Sequence, residues 1–189
     1  MAVEFQASNT RENLMRAFAG ESQARNRYTI AADTARKQGL YSIEQVFLFT
    51  ADQERAHAER FYGLLKNLSG TTIEISGGYP VDHSDDVAEL LKKAEHNEKE
   101  EGFLEAASAF FQIAEVEAIH GRRFGKLSEL LEQNKYFECE AGGQWMCMNC
   151  GHIHSGKMVP PVCPVCRYER GYFIPVEIAP YLGFDFIRK

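Results

Sequence analysis

Two short motifs constrain this chain more than any other feature: Glu54-Arg55-Ala56-His57 and Glu117-Ala118-Ile119-His120. A Glu and a His three positions apart lie on one face of a helix, so each motif presents a carboxylate beside an imidazole. One Glu-x-x-His arises readily by chance in a chain with six His and 27 acidic residues. Two of them, each on an apolar helical stripe, do not. Val46, Phe47, Thr50, Phe61 and Leu64 share the face of the first, and Phe110, Ile113, Phe124 and Leu127 that of the second. The pattern fits four-helix bundles in which two helices each give Glu-x-x-His and the other two each give a Glu, all facing inward.

The rest of the helical pattern supplies the other helices. A first helix is expected over 10–38, capped by Asn9 or Thr10, with Leu14, Ala17, Phe18, Glu21, Arg25 and Tyr28 along one face and Gly39 as its stop. A second runs over 42–68. Glu21 lies 18 residues before Gly39 and Glu54 lies 15 after it. At about 1.5 Å per residue, an antiparallel hairpin brings these two carboxylates to nearly the same height. Residues 71–83 read as a crossover. A third helix starts after Ser84, with Val87, Leu90, Leu91 and Ala94 inward, and a fourth covers 103–132. Residues 134–143 read as a linker, after which Cys, Gly, Pro and aromatics take over.

Composition narrows the function classes. The 189 residues are 44% apolar, enough for one substantial core plus a small appendage. A net charge of −6 without a long basic block argues against nucleic acid or an anionic membrane as partner. No stretch is long and apolar enough for a membrane span, and the N-terminus lacks a signal-peptide pattern. The expected compartment is the cytoplasm. Four of the five Cys fall in Cys147-Met148-Asn149-Cys150 and Cys163-Pro164-Val165-Cys166. Without a signal for export, such pairs suggest a metal before disulfides. Two Cys-x-x-Cys turns present four thiolates tetrahedrally, which suits zinc or a single iron, and the metal supplies much of the folding free energy of so small a unit. Cys139 reads as a plain thiol, and His152 and His154 as surface residues surplus to four ligands.

Cys-Pro-x-Cys, Trp145 before the first pair, Gly151 after it and Tyr172-Phe173 near the end resemble a rubredoxin, whose one iron shuttles one electron. A Gly ordinarily follows the last Cys as well; here it is Arg167. The whole chain resembles the rubrerythrin family, and Ala17-Phe18-Ala19-Gly20-Glu21-Ser22-Gln23-Ala24-Arg25 and Ala51-Asp52-Gln53-Glu54-Arg55-Ala56-His57-Ala58 are close to that family's first two helix motifs. The resemblance implies an all-α ferritin-like four-helix bundle over 1–135, followed by a small β-rich rubredoxin-like domain over 142–189. It implies two non-haem irons and one iron in the four-cysteine site, where zinc is the alternative. The implied activity is reduction of hydrogen peroxide to water. Electrons come from NAD(P)H through a separate reductase or rubredoxin, in a homo-oligomer such as a dimer. It carries a ligand role to Glu21, Glu54, His57, Glu117 and His120, with Glu54 and Glu117 as bridging carboxylates. Tyr28, two turns beyond Glu21, is either a hydrogen-bond donor to bound peroxide or a core tyrosine.

The third helix breaks the pattern. Aligned with the family, Glu98 is the expected ligand, Glu95 is marginal and Glu89 points away. Yet Glu98 is four residues before Gly102 while Glu117 is 15 after it. If Gly102 is the turn, the two differ in height by about 16 Å. Against the family pattern about fifteen residues, some four turns, are missing between Glu98 and Lys99. Three readings stay open. The stretch is missing from the sequence as read; or Asp85, Asp86 or His83 takes over; or the short hinge makes helices three and four pair with another subunit. Glu100 and Glu101 read as solvated residues at the helix end. Two other functions compete: a ferritin-like ferroxidase or iron store, and a non-catalytic bundle with a structural zinc ribbon.

Overall fold

The computed structural model describes residues 3–69 and 87–180. Four helices, α1 (Asn9–Lys37), α2 (Tyr41–Ser69), α3 (Val87–Glu101) and α4 (Leu104–Glu132), precede three strands, β1 (Glu138–Cys147), β2 (Ile153–Met158) and β3 (Phe173–Pro175). The expected crossover over 71–83 and the candidates His83, Asp85 and Asp86 lie outside the described residues. The expected linker over 134–143 is already strand from Glu138 onward. None of the helices among the described residues is long and apolar enough to cross a membrane.

Each helix stop is set by its local sequence. Gly39 (φ 71°) donates to Arg36 O while Leu40 N–H reaches back to Ala35 O; Gly102 (φ 91°) donates to Lys99 O while Phe103 N–H reaches Glu98 O. These paired bonds satisfy the last carbonyls of α1 and α3, and they need a residue that accepts a left-handed backbone. Asn134 (φ 53°) does the same after α4, with Lys135 N–H bonded to Leu130 O. The end of α3 is therefore a firm stop, and that helix has 15 residues where each of the others has 29.

The start of α1 differs from expectation. Its cap is Ser8, whose Oγ accepts from Arg11 N–H at 3.1 Å and donates to Phe5 O. Glu101 is not a loose helix end. Its Oε1 accepts from the backbone and side-chain amides of Asn9, and its Oε2 from the backbone N–H (2.9 Å) and hydroxyl (2.6 Å) of Thr10. A carboxylate at the positive end of a helix, accepting orphan N–H groups, is held in its charged form. These four hydrogen bonds outweigh its partial desolvation and lower its pKa.

The chain divides into two compact units, one of residues 1–27 and 51–121, the other of 28–50 and 122–189. The core of the first contains Leu14, Phe61, Leu64, Leu65, Leu91 and Phe110, with Phe61 and Phe110 rings 4.7 Å apart. In the second unit the sheet, ordered β2-β1-β3 and antiparallel throughout, shares a core with helix ends. Ile43, Val46 and Leu127 pack with Tyr136, Ile174 and Ile178. Buried Ser42 bonds both the Tyr136 hydroxyl and Phe173 O at 2.9 Å, and the Tyr41 and Tyr172 rings stack at 4.6 Å. A Cβ on Gly171 would lie 1.8 Å from Gly39 O, so only glycine permits that backbone approach. The cysteine segment is thus built onto helical surface, which compensates for its small size.

Replacing Glu101 with Ala is expected to lower stability by about 1–2 kcal/mol, the cost of a lost helix cap. Because the folded pKa of Glu101 is depressed, its contribution is present above the ordinary carboxylate range and lost as pH falls through the folded pKa. Urea melts at neutral and acid pH check this: the gap between wild type and variant closes on acidification.

Candidate metal centres

The first unit brings the helical candidates together. Ligand atoms of Glu21 from α1, Glu54 and His57 from α2, and Glu117 from α4 lie within 4.8 Å of one another. His57 Nδ1 is 3.1 Å from Glu117, 3.5 Å from Glu54 and 3.7 Å from Glu21. His120 Nδ1 is 3.0 Å from Glu54 and 3.3 Å from Glu117. The spacing of the motifs explains the convergence: each Glu-x-x-His turns both groups to one side, and the two helices face each other across the core.

These side chains crowd without bonding well. Both oxygens of Glu54, one oxygen of Glu117 and Nδ1 of both imidazoles are buried and make no hydrogen bond. Burying such groups unpaired costs several kcal/mol each in water-excluding surroundings. Donors that converge on a common point, rather than on each other, fit a cation. Three carboxylates and two imidazoles suit iron, and the residues present are those that would hold it. His120 Nε2 is 2.9 Å from Gln53 Oε1. A carbonyl oxygen accepts, so Nε2 carries a proton and Nδ1 is the nitrogen turned inward, free to ligate once a bound metal displaces its proton. Sequence reading missed Gln53, although residues 50, 53, 54 and 57 share one helical stripe and gave the signal.

Charge in this pocket without a metal follows burial and pairing. Burial pushes the Glu21 carboxyl up to about 8 against the opposing influence of the nearby His57 imidazole. Burial would raise Glu54 too, but the neighbouring His120 and His57 imidazoles hold it at about 2. Burial disfavours the charged imidazoles, yet Glu117, Glu21 and Glu54 raise His57 to about 11, and Glu117 and Glu54 raise His120 to about 9.

Glu98 is not among the converging donors. The reason is the one the helix lengths impose: α3 stops firmly three residues after it, far down the bundle from Glu117. Its side chain is completely buried, and burial pushes its carboxyl up to about 8 despite the Asn13 amide nearby. Glu95 is half-buried on the same helix and also lies outside the group. Tyr28 belongs to the second unit, its ring 5.0 Å from Phe124 and 6.0 Å from Phe47.

The second unit gathers Cys147, Cys150, Cys163 and Cys166, their sulfurs within 4.8 Å of one another. Cys147 Sγ is 3.7 Å from that of Cys166, and Cys150 Sγ is 3.8 Å from that of Cys163. Two like turns produce this: Gly151 N–H bonds Cys147 O at 2.8 Å, and Arg167 N–H bonds Cys163 O at 3.0 Å. Gly151 has φ 76° and Arg167 has φ 66°. Arg167 therefore holds a left-handed conformation at a cost of about 1–2 kcal/mol that glycine would avoid. Burial raises the Cys147 thiol to about 12, while the Tyr168 N–H lowers Cys166 to about 6. Cys139 stands apart, its Sγ 3.5 Å from Gly142 O.

A ferritin-like carboxylate bundle followed by a rubredoxin-like knot defines the class, and the comparisons agree. The rubrerythrin family model matches residues 12–95, and the model for the rubredoxin-like domain of rubrerythrin matches 145–174. The chain is 43% identical to rubrerythrin of Clostridium perfringens over 182 residues, covering 88% of this chain and 93% of that protein. It is 38% identical to rubrerythrin of Porphyromonas gingivalis, covering 94% of each. A nigerythrin structure in its mixed-valence state superposes with a TM-score of 0.55 at 25% identity, covering 92% of this chain and 94% of that one. This chain belongs to the rubrerythrin family, and its two clusters are the di-iron and rubredoxin-type sites of that family. Those 182 aligned positions take in 88% of 189 residues, about 166, so roughly sixteen face no residue of this chain. That number is close to the stretch of about fifteen residues expected to be absent between Glu98 and Lys99.

Glu98 tests its own role. Its raised folded pKa means the ionised form is disfavoured in the fold, so stability is lost as pH rises from about 4.5 toward 8. Glu98→Gln is expected to change stability by less than about 1 kcal/mol near pH 5 and to add roughly 2–4 kcal/mol near pH 8. Denaturant melts at the two pH values read this, and iron content unchanged from wild type would confirm that Glu98 holds no metal.

Proposed function

We propose that this chain is a non-haem di-iron peroxidase of the cytoplasm, reducing hydrogen peroxide to water with electrons relayed through its four-cysteine iron. The observation that carries the reading is the pairing, in one chain, of a buried pocket of three carboxylates and two imidazoles with a four-thiolate knot. An iron store has no use for a one-electron knot, and a structural zinc ribbon has no use for the pocket.

We assign the iron pair to Glu21, Glu54, His57, Glu117 and His120, and the single iron to Cys147, Cys150, Cys163 and Cys166, in domains spanning 1–135 and 142–189. When bound, two ferrous ions supply the two electrons that cleave the O–O bond, and two protons complete two waters. The chain's residues prepare for this. Gln53 orients the His120 ring, the apolar layer of Phe61, Phe110 and Ile113 limits water, and the inward atoms of Glu54, Glu117, His57 and His120 have no hydrogen-bond partners that would compete. Glu54 and Glu117 would hold the irons with carboxylates, whose denticity can change as charge changes. Tyr28 is proposed as a hydrogen-bond donor to peroxide. Electrons enter from NAD(P)H through a separate reductase or rubredoxin, in a homo-oligomer.

The test is anaerobic reduction followed by peroxide or oxygen, reading the thiolate-to-iron absorption. Peroxide is expected to restore the oxidised colour faster than oxygen does. Glu54→Ala is expected to slow the peroxide reaction by about a hundredfold or more, since loss of a ligand exceeds loss of a ligand's support. Reoxidation by oxygen with iron accumulation, or a colourless zinc knot with no peroxide reaction, would contradict the proposal.

A further inference from the structure

The donors of the helical site are divided unevenly. Around His57 stand three carboxylates from three helices, Glu21, Glu54 and Glu117, at 3.7, 3.5 and 3.1 Å. Around His120 stand two, Glu54 at 3.0 Å and Glu117 at 3.3 Å, and among the described residues no other carboxylate pairs with it. The two-plus-two arrangement needs a terminal carboxylate from the fourth helix on that side. The inward carboxylate of α3 is Glu98, which the Gly102 stop places far from Glu117. Counted from Gly102, the residue of α3 level with Glu117 is Val87, the first of the helix. The short third helix thus ends its described course at the height of the site without bringing Glu98 to it.

We propose that the two metal positions are unequal: one ion is held first and tightly by Glu21, His57, Glu54 and Glu117, and a second is held weakly by His120 with the remaining oxygens of Glu54 and Glu117. Glu54 and Glu117 offer two oxygens each, so the first ion leaves donors for the second. Among the described residues, no terminal carboxylate stands on the His120 side to neutralise and fix the second ion. Loss of a supporting group beyond the ligands already weakens metal binding by about tenfold or more, so loss of a ligand separates the two affinities by at least that much. At limiting metal the chain then carries one ion per bundle, and its second position fills only as metal rises. The inference rests on the metal-binding reading of the site but not on peroxide as substrate.

The experiment uses the full chain with zinc in the four-cysteine knot and the helical site emptied by chelation. Mn(II) is the probe, since carboxylate and imidazole sites accept it and a thiolate knot does not prefer it. Electron paramagnetic resonance counts free Mn(II) and distinguishes an isolated ion from a spin-coupled pair. Two-step filling is expected, with affinities separated by about tenfold or more. An isolated-ion signal should dominate at one equivalent and a coupled signal appear only beyond it. His120→Ala should remove the second step and keep the first, while Glu21→Gln should weaken the first. The wild-type isotherm decides even where a variant fails to fold. A single step with a coupled signal from the first additions overturns the proposal. So does loss of the tight ion in His120→Ala, or no binding at all. Peroxide turnover is not read, so failure here is separate from failure of the peroxidase assignment.

Discussion

Everything in the helical half of this protein depends on five side chains gathered in one buried pocket, four of which leave inward atoms without a hydrogen bond. Glu54 is completely buried, Glu21 and His120 nearly so, and the inward atoms of Glu54, Glu117, His57 and His120 lack hydrogen bonds. In a core of Leu, Phe and Ala this is an expensive arrangement, because low polarity magnifies each unpaired charge. Partial pairing between carboxylates and raised imidazoles offsets some of it, as the depressed Glu54 and the elevated His57 and His120 record. A metal offsets the rest. The same unit packs Leu14, Phe61, Leu64, Leu65 and Phe110 into one buried core, close packing of the kind that holds helices in fixed positions.

The short α3 is the second constraint, and its cause is local. Gly102 and Phe103 close the helix with the same pair of backbone bonds that Gly39 and Leu40 use to close α1. Glu101 then anchors that end by capping α1 across the bundle. The helix is therefore pinned where it stops, and Glu98 cannot reach the height of Glu117 by sliding. The inward carboxylate of α3 lies away from the site, and among the described residues the His120 side has two carboxylate neighbours. The rubredoxin-like half escapes this change. Its two knuckles depend on the Gly151 and Arg167 turns and on the seat that Ser42, Tyr41 and Gly39 provide.

Much of this was legible in the sequence, because it follows from spacing. Period 3.6 put Glu54 with His57 and Glu117 with His120; distance from Gly39 put Glu21 level with Glu54; two Cys-x-x-Cys pairs formed the knot. The conflict at Glu98 was legible too: its helical face pointed inward while its distance from Gly102 denied it the site, and the height argument prevailed. What was not legible depended on contacts between distant segments. Glu101 reads as a solvated carboxylate until α1 is seen to start beside it. Ser42 and Gly171 look ordinary until the sheet is placed against the α1–α2 turn. Gln53 carried a helical signal, but its role became visible only once His120 faced it across the core.

The central claim is that bound metal compensates the inward-facing carboxylates and imidazoles of α2 and α4. Amide hydrogen exchange, followed peptide by peptide with and without ferrous iron under anaerobic conditions, tests it most directly, with zinc kept in the four-cysteine knot throughout. The account expects iron to slow exchange in segments around Glu54–His57 and Glu117–His120 while the three strands stay unchanged, since ligands stabilise the elements that hold them. Exchange in those helical segments that is indifferent to iron, or slowed only in the strands, would contradict it.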